Sequence, residues 1–161
     1  SPSSPRSSLR SWLGLVGWLA VTFLAAAAAS RFGAGAWYDS LAKPAWTPPG
    51  AVFGPVWGLL YTLMGIAAWL VWRREGVRAA AFPLGLYLAQ LVLNVAWTTL
   101  FFGAERIGWA LLDIMLLWLF LAALIPLFWR RSRWAGALLV PYLLWVTYAG
   151  ALNLQILRLN A

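Results

Sequence analysis

Five stretches of about 20 mostly apolar residues limit what this chain can fold into more than any other feature. They run approximately over 10–29, 51–72, 79–102, 107–129 and 134–157. A helix that crosses bilayer hydrocarbon needs roughly 20 such residues, because every backbone polar group must be satisfied within the segment. Composition agrees: 63% of the residues are hydrophobic and 10% are charged, against about 45–50% and about 25% in a soluble domain. The expectation is an all-α membrane protein, a bundle of five transmembrane helices in one domain over 10–161, preceded by a mobile Ser/Pro-rich segment over 1–9. Three breaks separate the later spans, at 73–76, 103–106 and 130–133. They are short, which predicts that consecutive helices pack as antiparallel neighbours.

The first connection is different. It covers 30–50, contains Pro44, Pro48 and Pro49, and carries Trp37, Tyr38 and Trp46. Connections of that length are uncommon unless they are functional or disordered. Three large aromatic side chains suit an ordered cap over the bundle. Prolines recur inside the spans at Pro55, Pro83, Pro126 and Pro141. The first two fall near helix starts, where a missing N–H costs little, and the last two are expected to kink their helices.

The charge of +8 fits topology better than nucleic acid, since no basic groove emerges and the cations lie between apolar runs. Arg6, Arg10, Arg73, Arg74, Arg78, Arg130, Arg131 and Arg133 fall on one side; Arg31, Lys43, Arg106 and Arg158 fall on the other. The positive-inside rule then places the N-terminus in the cytoplasm and the long loop outside, in a bacterial inner membrane. An organelle membrane would need a different argument. The absence of His and Cys excludes disulfides, Cys/His zinc sites and His-dependent nucleophilic catalysis. No metal site and no required cofactor are expected.

Polar groups inside hydrocarbon are expensive, so each needs a reason. On the third span, helical spacing aligns Gln90, Asn94, Trp97, Thr98 and Phe101 on one stripe, and Gly85, Ala89, Val92 and Ala96 on the other. The small residues Gly85 and Ala89 either mark a dimer interface or pack inside the monomer. Asp113 is the one acid deep in a span; it either contacts a ligand or is protonated and bonds a neighbouring helix. With about 1.5 Å of rise per residue, Trp57, Tyr61, Asn94, Trp97, Asp113, Trp145 and Ala149 all fall in the half of the bilayer under the long loop. That predicts a capped pocket between helices, with flat rings suited to a flat hydrophobic ligand. Gln90 and Asp113 are its expected polar support. Trp12, Trp69, Trp72, Trp129 and Trp134 lie near span ends, where indoles anchor at the membrane interface.

The segment Trp37-Tyr38-Asp39-Ser40-Leu41-Ala42-Lys43-Pro44-Ala45-Trp46-Thr47-Pro48-Pro49-Gly50 resembles the first loop of the TspO/MBR family of tryptophan-rich sensory and translocator proteins. Trp57-Gly58-Leu59-Leu60-Tyr61, Asn94-Val95-Ala96-Trp97, Phe101-Phe102-Gly103, Pro141-Tyr142-Leu143-Leu144-Trp145 and Leu152-Asn153 extend the resemblance in order. It implies a five-helix bundle, usually a homodimer, that binds porphyrins such as protoporphyrin IX and synthetic isoquinoline-carboxamide and benzodiazepine ligands. Ligand-binding residues implied by motif position are Tyr38, Pro44, Trp57, Tyr61, Asn94, Trp97, Trp145 and Ala149. Some bacterial members degrade porphyrin in light, an activity the resemblance assigns to Trp57 and Trp145. Mitochondrial members are linked to cholesterol. The proposed sterol motif needs a Tyr within five residues of a basic residue, and Leu154 stands where that Tyr would precede Arg158.

The leading expectation is a porphyrin-binding membrane protein with a transport or stress-regulatory role. The alternatives are a light-dependent porphyrin-degrading enzyme using Trp57 and Trp145, and a lipid or sterol/tetrapyrrole transporter. The expected partners are a flat hydrophobic small molecule, the bilayer and a second copy of the chain.

Overall fold

A computed structural model describes residues 5–161. Five long helices, one short helix and one π turn account for nearly all of them: α1 (Pro5–Ala29), α2 (Ala36–Ser40), α3 (Gly50–Ala79), α4 (Ala81–Thr98), the π turn Thr99–Gly103, α5 (Ile107–Arg131) and α6 (Arg133–Asn160). The five long helices are each apolar and long enough to cross a membrane. The chain is an all-α integral membrane protein.

Helix limits follow local chemistry. α1 starts at Pro5, so of the segment expected to be mobile, residues 5–9 are helical and residues 1–4 lie outside the described residues. Proline is well placed there, since the first helical N–H has no intrahelical partner to lose. Pro49 precedes α3 in an extended conformation. Three residues before its end at Ala79, α3 is kinked where Gly76 adopts φ 78°, a left-handed geometry that glycine takes without a Cβ penalty. Ser132 divides α5 from α6 and caps α6 by accepting from the Ala135 N–H. α5 and α6 continue as helices through Pro126 and Pro141.

The helices form a ring in the order α1, α3, α6, α5, α4 and back to α1. This corrects one sequence expectation. α3 and α4 are joined by Ala80 alone, yet their contact is narrow, and the broad neighbours of α3 are α1 and α6. The aromatic face of α3 explains it: Trp57 lies against Tyr142 and Trp145 of α6, at ring centroid distances of 6.2 and 6.3 Å.

Met64, Tyr87, Leu117, Leu121, Phe128, Leu139 and Tyr142 fill the centre of the ring, all essentially inaccessible. α1 and α3 approach closely. A Cβ on Gly65 would stand 2.7 Å from the Leu19 side chain and 3.3 Å from its backbone, and one on Gly14 would stand 2.0 Å from the Trp72 ring. Small residues are what allow this distance between membrane helices. A second cluster of Phe101, Ala110, Leu152 and Ile156 closes the end of the bundle nearest the long loop, with Trp37, Tyr38 and Leu41 packed on it.

Candidate functional site

The site is built from three layers beneath that loop. The outermost is the loop itself, which is tied down at several points. Asn160 of α6 grips the Ala42 backbone from both sides, accepting its N–H (3.0 Å) and donating to its carbonyl (2.9 Å). Tyr148 donates its hydroxyl to the Trp46 carbonyl, and the two rings meet edge to face at 5.6 Å. Lys43 Nζ donates to the carbonyls of Tyr38 (2.7 Å) and Leu41 (3.1 Å) and lies 4.6 Å from the Tyr38 ring centre. Thr47 closes a turn by donating both N–H and hydroxyl to the Pro44 carbonyl. Burial raises the Tyr38 phenol above its ordinary pKa, with Asp39 and Tyr148 adding to the shift.

The middle layer is the π turn. Its wider ring, closed by Ala104 N–H to the Thr99 carbonyl at 2.8 Å, presents Phe101 and Phe102 together toward the loop. Trp37 and Tyr38 pack on Phe101 at 5.8 and 6.2 Å, and Tyr38 packs on Phe102 at 5.5 Å. Such turns interrupt α-helices most often at functional positions. Phe101 then stacks on Trp97, at 5.3 Å and 27° between planes.

The inner layer is a cavity lined by Trp57, Asn94, Trp97, Ile114, Leu117, Val146 and Ala149. Side chains of α3, α4, α5 and α6 meet there. Its volume is about 10 Å³, roughly the least that holds one water molecule. Hydrogen bonds set the orientation of its polar walls. Asn94 Oδ1 accepts from the Tyr61 hydroxyl and Asn94 Nδ2 donates to the Tyr142 hydroxyl, both at 2.6 Å. Trp97 Nε1 donates to Asn153 Oδ1, and Asn153 Nδ2 donates to the Ile107 carbonyl, both at 3.0 Å. Both amide orientations are thereby fixed.

Of the eight residues expected to bind ligand, Trp57, Asn94, Trp97 and Ala149 line this cavity. Tyr61 stands behind Asn94 as its hydrogen-bond donor. Trp145 packs edge-on against Trp57, and its Nε1 is buried without a partner. Tyr38 and Pro44 belong to the loop and do not line the cavity: Tyr38 packs on Phe101 and Phe102, and the Pro44 carbonyl accepts from Thr47. Gln90 is buried nearer the bundle centre, where Nε2 faces Met64 Sδ at 3.8 Å and Oε1 has no partner. Asp113 is half-buried, and its Oδ2 meets no donor, so the hydrogen bond to a neighbouring helix is not made at that oxygen. Gly85 is exposed with open space where its Cβ would be, so it does not pack inside the monomer; Ala89 is half-buried.

Sequence reasoning missed several members. Ile114, Leu117 and Val146 are apolar residues in apolar spans and carry no signal. Tyr142, Tyr148, Asn153 and Asn160 did carry one, because polar groups in or near hydrocarbon require partners.

The model of the TspO/MBR family matches residues 13–159. The chain belongs to the TspO/MBR family. Within it, the chain is 42% identical to the human translocator protein over 154 residues, covering 92% of this chain and 91% of that one. It is 48% identical to the tryptophan-rich sensory protein of Cereibacter sphaeroides over 124 residues, 77% of each chain. It is 43% identical to protein CrtK of Rhodobacter capsulatus over 149 residues, covering 88% and 91%. The TspO/MBR match takes in α1 from residue 13, the loop, the π turn and the cavity, and stops one residue short of Asn160.

Proposed function

We propose that this TspO/MBR member binds a flat hydrophobic ligand of the porphyrin class in the cavity under its long loop. The observation that carries the reading is the convergence of Trp57, Trp97 and Asn94 on one cavity, with Phe101 stacked on Trp97. Indole faces suit a tetrapyrrole plane, and the unpartnered Trp145 Nε1 offers a donor to a ligand carboxylate at the aromatic wall. A drug-sized ligand occupies a cleft of about 300–1,000 Å³, so this cavity is the closed form and ligand entry requires the rings above it to part. In this reading the protein works with the N-terminus in the cytoplasm, as a homodimer through the α4 face of Gly85 and Ala89, with the ligand moved or sensed rather than chemically required.

The test is a titration of protoporphyrin IX followed by tryptophan fluorescence, comparing wild type with Trp57→Phe and Trp145→Phe. Affinity should fall by about tenfold or more in each, the equivalent of roughly 1.4 kcal/mol. Unchanged affinity in both variants removes the cavity as the binding site.

The edge-to-face contact of Trp57 with Trp145, at 6.3 Å and 88°, favours a second reading, light-driven oxidation of the bound porphyrin by dioxygen with these indoles as redox neighbours. Illumination under air should then give a new product spectrum that is absent under nitrogen. No product under air leaves binding alone.

A further inference from the structure

At the opposite end of the bundle from the loop, a cleft of about 680 Å³ opens between the start of α1 and the end of α3. Arg6, Arg10, Arg73 and Arg74 line it, with Trp72 and Glu75. We propose that this cleft binds the phosphodiester headgroup of an anionic phospholipid.

Four guanidinium groups face one carboxylate in the lining, and that carboxylate is engaged elsewhere: Glu75 Oε2 accepts from Arg131 Nε at 2.9 Å. The cleft is therefore more positive than its composition alone indicates. Guanidinium groups match phosphate oxygens with paired N–H donors and are weakly hydrated for a cation.

The cations are also held in place. Arg10 sits 5.8 Å from the centre of the Trp72 ring and Arg73 sits 4.7 Å from that of Trp69. Both indoles are locked in turn. Trp69 Nε1 donates to the Ser11 carbonyl of α1 at 2.8 Å, and the Trp72 ring fills the space that a Cβ on Gly14 would need. Side chains ordered beforehand lose less entropy when a ligand arrives.

Position separates a lipid from a soluble anion. The cleft lies where two membrane spans end, at the depth of lipid headgroups. Leu13 lies about one turn toward the bundle centre from Arg10. Leu13 and Val16 are each 62% exposed, giving an acyl chain an apolar track that starts at the arginines.

The experiment places the whole chain in phosphatidylcholine nanodiscs doped with a minor fraction of phosphatidylglycerol and counts retained lipids by native mass spectrometry. Wild type should retain phosphatidylglycerol over phosphatidylcholine. The pair Arg10→Gln with Arg73→Gln should weaken retention on the order of tenfold, because it removes two of the four guanidinium groups that line the cleft. The pair Arg130→Gln with Arg133→Gln, at the same end between α5 and α6, should leave it intact. Equal loss in both pairs means diffuse surface charge and overturns the proposal, as does unchanged retention in the first pair. Displacement of the lipid by millimolar inorganic phosphate or glycerophosphoglycerol means a soluble anion site and overturns it too. Should the first pair lose its helical circular dichroism, Arg74→Gln, which is outside both ring contacts, reports the same loss at smaller size, and no loss there counts against the cleft.

Discussion

Asn94 shows how one polar residue organises a site inside hydrocarbon. Its amide joins Tyr61 of α3 to Tyr142 of α6, so one side chain on α4 satisfies two hydroxyls on two other helices. Replacing it with Ala removes the partner that both hydroxyls share. Hydrogen bonds between membrane helices are worth about 1–2 kcal/mol in model peptides and less in whole proteins. Asn94→Ala should therefore destabilise the fold by about 1–2 kcal/mol, read as a lower unfolding midpoint in mild detergent. In combination with Tyr61→Phe the losses should be less than additive, because the two share a bond. The sequence made this residue legible as a site member through its cost, but not its partners, since Tyr142 lies on a helix whose ring position cannot be read from chain order. Trp118 makes the same point from the lipid side. It lies deep in its span, is exposed, and satisfies its indole N–H on Thr147 Oγ1 at 2.8 Å, so depth alone did not place it in the cavity.

At the scale of elements, the α1–α3 seam and the loop are the two places where a small change should have a large effect. Gly65 lets Leu19 of α1 approach to contact distance. Gly65→Val would force the helices apart, and overpacking of this kind costs about 1–3 kcal/mol; thermal unfolding should show it, while Gly85→Val on the open face of α4 should be nearly silent in the monomer. The loop depends on Asn160, two hydrogen bonds from the far end of α6. Asn160→Ala should raise amide hydrogen exchange around Ala42 and speed both entry and release of porphyrin, with a smaller effect on affinity. The five spans were legible because length and hydropathy are local properties. The ring order, with α6 between α3 and α5, was not, because it depends on which aromatic faces fit one another. The shortness of the break at 73–76 pointed to a broad α3–α4 contact that Trp57, Tyr142 and Trp145 override.

For the whole molecule, a cavity of about 10 Å³ beneath a pinned loop would couple opening to the porphyrin binding proposed above. Stopped-flow mixing with increasing porphyrin should give an observed rate that saturates, because opening becomes limiting, where a preformed pocket would give a rate rising in proportion to concentration. The two ends of the bundle then differ in kind: a closed aromatic chamber at the loop end and an open cationic cleft at the other. The π turn adds a constraint of its own. It accommodates one more residue than an α-helical turn would, and Phe101 and Phe102 on it both reach the loop. Deleting any one position between Thr99 and Gly103 should collapse the wide turn to an α-helical one, so that the two rings no longer meet Trp37 and Tyr38 together. Indels in this pentapeptide should therefore be far less tolerated than substitutions, since the count of residues, and not their identity, aims the seal.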